Sequence, residues 1–188
     1  SIALDGNIVA TAGTGAVTLI ANDSNASGLG LVIDAAGDIS SNGFVALTGA
    51  AGISTAGDIT TTADAITFNS ATTLTGDVAL DSAGGQIDFV STLTGTTANT
   101  ETLTLTAGAG AINFDAAVGA TALGAAQIVT AGNVGIDSTF DAASFTQSAG
   151  TGTTTFDGAL TATTGNVLIT TNAIVLNALV DTVTAGAG

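Results

Sequence analysis

Lysine, arginine and histidine are absent from this 188-residue chain, against 15 Asp and Glu, so its formal charge is −15. Cys, Met, Trp, Tyr and Pro are absent too. Each gap removes a class of function. Without Lys or Arg no phosphate counterions can be displaced, so nucleic-acid binding and attraction to anionic lipid are excluded. Disulfides, thiolate chemistry and Cys/His zinc sites have no ligands. Catalytic triads that use His or Lys as base are gone, as is the P-loop lysine. Only carboxylates remain for acid–base work.

Long hydrophobic runs are missing as well. Nothing approaches the ~20 apolar residues of a transmembrane helix, since Ala173 to Val180 is already interrupted by Asn177. An outer-membrane barrel would want Trp and Tyr girdles at its two interfaces. Ser1 is not preceded by a basic n-region, so a signal peptide is expected to be removed or to lie outside this stretch.

What is present is small, branched and apolar. Ala, Thr and Gly number 37, 35 and 26, and 46% of the residues are hydrophobic. A mean hydropathy of +0.61 argues against disorder, which goes with low hydrophobicity. The length suits one domain with a real core.

The period along the chain is two, and helix formers are scarce. Asp77-Val78-Ala79-Leu80-Asp81 puts Val78 and Leu80 on one face, and Thr102 to Thr106 reads T-L-T-L-T. Short half-buried strands between Gly-containing turns follow.

The stronger signal is an internal repeat. Gly-Asp-Ile or Gly-Asp-Val opens segments at Gly37, Gly57 and Gly76, with Asn in place of Asp at Gly6, Gly132 and Gly165. A second motif recurs at Ile66-Thr67-Phe68, Ile87-Asp88-Phe89, Ile112-Asn113-Phe114, Thr154-Thr155-Phe156 and Ile174-Val175-Leu176, with Phe44 to Leu47 a looser version. Aligning them gives rungs 17–37, 38–57, 58–76, 77–101, 102–125, 126–144, 145–165 and 166–188 after a partial rung 1–16. A unit of about 21 residues cannot bury its own apolar face, so units must stack. The expected fold is therefore all-β: one domain (1–188), a parallel β-helix of about eight to nine rungs spaced ~4.8 Å apart. A two-sheet sandwich also explains short strands, but not a motif returning every 19–25 residues.

In that fold Phe68, Phe89, Phe114 and Phe156 form an internal column, with Phe140 as a fifth member. Asn69, Asp115, Asp141, Asp157 and Asn177 follow as a ladder of turn-bonding side chains.

Lines such as Leu103 to Gly124 and Phe145 to Ala178 resemble the β-strand-repeat regions of very large bacterial surface proteins, similar to filamentous-haemagglutinin-type adhesins and autotransporter passengers. The likeness runs over essentially the whole chain and rests on repeat style and composition. It implies a secreted right-handed β-helix and carries over no catalytic residue. The total loss of Lys and Arg is more extreme than such passengers would show.

Candidate chemistry is thin. Asp38, Asp58 and Asp77 take equivalent motif positions, and stacked carboxylates ~5 Å apart repel by about 0.8 kcal/mol in bulk water. Calcium bridging that column is one reading, the sole cofactor suggested; a solvated turn whose Asp accepts local N–H groups is the simpler one. Asp34/Asp38 and Asp77/Asp81 could be glycosidase pairs, but no aromatic or basic group is there to hold a sugar. Thr runs at Thr60–Thr62, Thr72–Thr73, Thr96–Thr97, Thr153–Thr155 and Thr163–Thr164 suggest an ice-binding face, yet they lack a strict T-x-T column. Asn22 and Asn25 begin glycosylation sequons.

Neither end carries a capping helix or an edge-blocking Lys or Pro. The expectation is thus a non-enzymatic extracellular structural protein, the building block of a cell-surface fibre or matrix. Its partner would be itself, head to tail, with no nucleic acid and no membrane insertion. The alternatives are a spacer segment of a giant secreted adhesin, and a calcium-dependent or ice-binding module.

Overall fold

The computed structural model describes residues 1–22 and 30–183. Ala, Thr and Gly, with branched Leu, Ile and Val, dominate the described chain, and every regular element in it is a strand, 23 in all. The first coil holds β1 (Ile2–Leu4), β2 (Ile8–Ala10) and β3 (Val17–Ala21); the second holds β4 (Leu31–Ile33), β5 (Ile39–Ser41) and β6 (Val45–Gly49). Next come β7 (Ile53–Thr55), β8 (Ile59–Thr61) and β9 (Ile66–Phe68), then β10 (Thr72–Leu74), β11 (Val78–Asp81) and β12 (Ile87–Phe89). The fifth coil has β13 (Leu93–Gly95), β14 (Leu103–Thr106) and β15 (Ile112–Phe114). In the sixth and seventh, single long strands, β16 (Val118–Thr130) and β18 (Phe140–Gln147), round the first corner before β17 (Val134–Ile136) and β19 (Thr153–Phe156). The last are β20 (Leu160–Ala162), β21 (Val167–Ile169), β22 (Ala173–Leu176) and β23 (Val180–Thr182).

Every pairing is parallel and joins a strand to its counterpart one coil on, so the chain is a parallel β-solenoid. Three columns result. The first runs from β1 to β23, the second from β2 to β21, and the third, a separate eight-stranded sheet, from β3 to β22. They hold nine, eight and eight strands, close to the eight to nine rungs expected, and the third column spans seven full turns.

Burial alternates within each strand, as the pleat requires. Ile66-Thr67-Phe68, Ile87-Asp88-Phe89 and Ile112-Asn113-Phe114 all bury their outer two residues, and their registers match one to one. The interior is thin, built mostly of stacked Leu, Ile, Val, Phe and Ala. At the end of the second column the inward residue turns polar in consecutive coils, and each hydroxyl caps a turn. Ser41 Oγ donates to the Gly15 carbonyl at 2.5 Å, Thr61 Oγ1 to Asp64 at 2.5 Å and Ser82 Oγ to Gly85 at 2.6 Å. At the turn that follows, a β-carbon on Gly110 would overlap the carbonyl oxygen of Gly85 one coil below, so only glycine lets the coils close there.

Sequence and structure part company at two aromatic positions. Phe44 is not part of the motif: Val45 and Leu47 pair with Ile66 and Phe68, leaving Phe44 one residue early and half exposed. Phe140 belongs to the first column, between Val118 and Leu160, and not to the third.

Candidate functional site

The repeated Gly-Asx-Ile openings have a local purpose. At the entrance to the second column the Asx oxygens of the first four coils each accept a backbone N–H from the next coil, adding one bond to the ladder. Asn7 Oδ1 accepts from Asp38 N at 3.1 Å, Asp38 Oδ1 from Asp58 N at 3.0 Å, and Asp58 Oδ1 from Ala79 N at 2.8 Å. Asp77 Oδ1 accepts from Thr102 N at 2.8 Å, and Asn133 does the same for Thr153 N in the third column at 2.8 Å. The Thr102 bond holds the Asp77 carboxyl below the ordinary range.

Asp38 and Asp58 stack, since Ile39 pairs with Ile59. Asp77 does not continue the file. Ile59 pairs with Leu80, which sets Asp58 opposite Ala79 and leaves Asp77 two residues upstream. Among the described residues no group of three or more His, Cys, Asp or Glu is close enough to hold a metal ion. These carboxylates are spent on backbone N–H groups, the role a solvated turn gives them.

The file after the third column contains Asn69, Val90, Asp115, Asp137, Asp157 and Asn177, each directly following its strand. Asn177 Nδ2 donates to Asp157 Oδ1 at 2.6 Å, and Asn69 Nδ2 donates to the Leu47 carbonyl at 3.3 Å. Asp141 is a correction: it lies inside β18, paired with Thr161 in the first column, and Asp137 takes the place assigned to it. Partial burial, with the Asp88 and Asp137 charges nearby, pushes the Asp115 carboxyl up. The hydrogen bond with the neighbouring Asp5 carboxyl, with smaller contributions from desolvation and the Asp5 charge, likewise raises Asp34.

Inside, Phe68 stacks on Phe89 at 4.9 Å between ring centroids and Phe89 on Phe114 at 5.3 Å. The third column then supplies only Ile136, and the aromatic run leaves it. Phe140 from the first column meets Phe114 edge-on at 5.1 Å, Phe145 from the second follows at 5.3 Å, and Phe156 completes the run at 5.9 Å. Six rings thus form one continuous chain through five coils, where the repeat indicated four in one column with Phe140 as a fifth. Phe145 was missed because its column carries no Phe elsewhere.

Two further features left no signal in the sequence. Glu101, the chain's single Glu, is only 5% exposed. Burial would raise its pKa, but its carboxylate accepts from the Thr96 hydroxyl and, at 3.1 and 3.2 Å to its two oxygens, from the Thr97 N–H, and these bonds hold it below the ordinary value. It fixes the outward loop 96–102, whose Asn99 N–H reaches Ala122 at 2.8 Å and whose Asn99 Oδ1 accepts from Thr163 Oγ1 at 2.5 Å. That loop leaves the fifth coil and touches the eighth. It passes the seventh coil where the corner between the first two columns shrinks to Ala143 and Ser144. The second feature is a polar pair in the core: Thr154 Oγ1 donates to Gln147 Oε1 at 2.7 Å, both residues fully buried, with Gln147 Nε2 unpartnered.

Outward hydroxyls line up in the first column at Ser54, Thr73 and Thr94, but the register meets Asp141 and Thr161 further on, so the file is short and broken by charge. Of the sequons, Asn22 follows β3 and is exposed; Asn25 lies outside the described residues.

The ends of the solenoid are its most distinctive surfaces. Among the described residues, β1, β2 and β3 at one end and β21, β22 and β23 at the other each pair on one side only. Ile174 and Leu176 point inward yet are 48% and 57% exposed, whereas Thr154 and Phe156, their partners one coil earlier, are fully buried. Leu168 and Leu179 add further exposed apolar surface at the same end.

The fold and these end faces define a repeat protein of the parallel β-solenoid class. No protein-family model, curated protein or solved structure matches the chain.

Proposed function

We propose that the chain is a non-enzymatic structural module of an extracellular, cell-surface fibre or matrix, extended along the solenoid axis by stacking of its ends. The observation that carries this reading is the parallel ladder that runs through all three columns, each strand pairing with its counterpart one coil on, an interface that a further coil of the same kind can continue. The C-terminal face also exposes inward-facing Ile174 and Leu176. A half-satisfied ladder above an apolar interior is completed by another coil of the same kind. No Lys or Pro blocks either edge. The net charge of −15 keeps rods apart side to side, so that growth along the axis is favoured over lateral clumping.

A second reading, a spacer segment within a giant secreted adhesin, draws on the same faces: there the covering coil belongs to the same polypeptide. The likeness to adhesin repeats supports it. Neither the broken Ser/Thr file nor the hydrogen-bonded Asp file favours an ice-binding or calcium-dependent module. Negative-stain microscopy of the purified chain separates the two main readings. Filaments many subunits long support the first; isolated rods on the order of 40 Å long, from eight to nine rungs at ~4.8 Å, support the second.

A further inference from the structure

The turn between β2 and β3 is longer than its counterpart one coil on: residues 11–16 against 42–44. Thr11 to Thr14 are exposed, so no buried side chain anchors it. What holds it is Asn42-Gly43, the chain's single Asn-Gly step. Asn42 Nδ2 donates to the Thr11 carbonyl at 2.5 Å and to that of Gly13 at 3.2 Å. The Asn42 N–H donates to the Ala10 carbonyl at 3.0 Å and the Gly43 N–H to that of Gly15 at 2.8 Å. A β-carbon at position 43 would lie only 2.9 Å from the Gly15 oxygen, so this close approach of the two turns favours glycine. Glycine in turn leaves its own nitrogen unshielded beside the asparagine amide.

We propose that Asn42-Gly43 is a self-modification site gated by the fold. It stays intact while the turn 11–16 is seated, converts when that turn lifts, and cannot reseat it afterwards. In the reaction Gly43 N bonds to Asn42 Cγ as the Cγ–Nδ2 bond breaks, and Nδ2 leaves as ammonia with the Gly43 proton. Water then opens the cyclic imide at either carbonyl, leaving an aspartyl or isoaspartyl residue. The seated turn blocks both partners. Gly43 N–H is committed to Gly15, and the Asn42 amide to Thr11 and Gly13, so neither is free to meet the other. Local opening of the turn releases these bonds together.

The product cannot remake them. A carboxylate has no N–H to donate, and its oxygens would face the Thr11 and Gly13 carbonyls, acceptor against acceptor. The isoaspartyl form also lengthens the backbone beside Gly43, where there is little room to shift.

Cleavage before aspartates isolates residues 38–57, in which Asn42 is the only amide side chain, so mass spectrometry reads the conversion directly. In mildly alkaline buffer the folded chain is expected to convert at least about tenfold more slowly than the chain in urea. Ser41 Oγ also donates to the Gly15 carbonyl, at 2.5 Å. Ser41→Ala should therefore speed conversion of the folded chain several-fold and leave the rate in urea unchanged. Equal rates for the parent chain in buffer and in urea, or a folded Ser41→Ala chain that converts no faster than the parent, overturns the gating. Asn42→Asp supplies one product directly, and hydrogen exchange at the Gly43 amide should then be at least about tenfold faster. Protection equal to the parent's would show that the turn reseats, and it overturns the one-way release.

Discussion

Glu101 and Asp77 carry the acid sensitivity of single residues. Both carboxyls lie below their ordinary values of 4.5 and 3.8, Glu101 because hydrogen bonds outweigh burial and Asp77 because Thr102 bonds it. The stability each contributes is full above its ordinary value and is lost as pH falls through the lower folded value. Glu101→Ala leaves the Thr96 and Thr97 donors unmet, and a loss of about 1–3 kcal/mol at pH 7 is expected from urea denaturation. Glu101→Gln should flatten the acid limb of the stability curve below pH 4.5. Asp115 runs the other way: its carboxyl is raised by burial and by Asp88 and Asp137, so its favourable contribution exists below 3.8 and disappears as pH rises through the folded value. Asp115→Asn should therefore raise the melting temperature at pH 7 and leave it unchanged at pH 3. Backbone strain is as local. Ala63 and Ala83 sit at φ 70° and 49° in successive coils, where a β-carbon is unfavourable. Ala83→Gly should gain up to about 1 kcal/mol, and no gain would mean that neighbouring coils already relieve the strain.

Elements meet along columns, so the telling substitutions are those that disturb a file. Phe114 touches rings both below and above it, and Phe114→Ala should cost about 3–5 kcal/mol, measured by thermal or urea unfolding. Gln147 and Thr154 join the second and third columns inside the seventh coil. Thr154→Val alone leaves a second buried amide atom of Gln147 unpaired and should destabilise by about 1–3 kcal/mol. Adding Gln147→Leu should restore most of that loss, because both polar groups are then gone. A double mutant that is worse than Thr154→Val would show the pair to be net stabilising.

At the scale of the whole molecule, a solenoid's coils see only their neighbours, so it is expected to open from its ends. The loop 96–102 breaks that rule by tying the fifth coil to the sixth through Asn99 N–H and Ala122, and to the eighth through Asn99 and Thr163. Coils five to eight should exchange amide hydrogens as one cooperative unit while coils one to four exchange progressively. Asn99→Gly keeps the left-handed turn at φ 64° but removes the Thr163 contact, and it should abolish the difference between the two halves.

The fold was legible because its cause is local and repeated. Alternation fixes which side of each strand is buried, and the return of Ile-x-Phe and its looser versions along the chain leaves stacking as the only way to bury it. The Gly-Asx openings were legible as turns. That their oxygens extend the ladder into the next coil was not, because the partner N–H lies 20 or more residues away. Asp77 and Asp141 show the limit. Each occupies the right place in its own motif, but register is settled by whole corners, and insertions there slip one residue past the file and carry another into a different column. Nor could composition reveal that Phe140 and Phe145 would fill the space left by Ile136. Periodicity, burial and the choice of a solenoid are summed over many similar residues, so the sequence determines them alone. The Asp file, the aromatic path and the Glu101 loop each depend on contacts between different coils, and only the tertiary structure decides those.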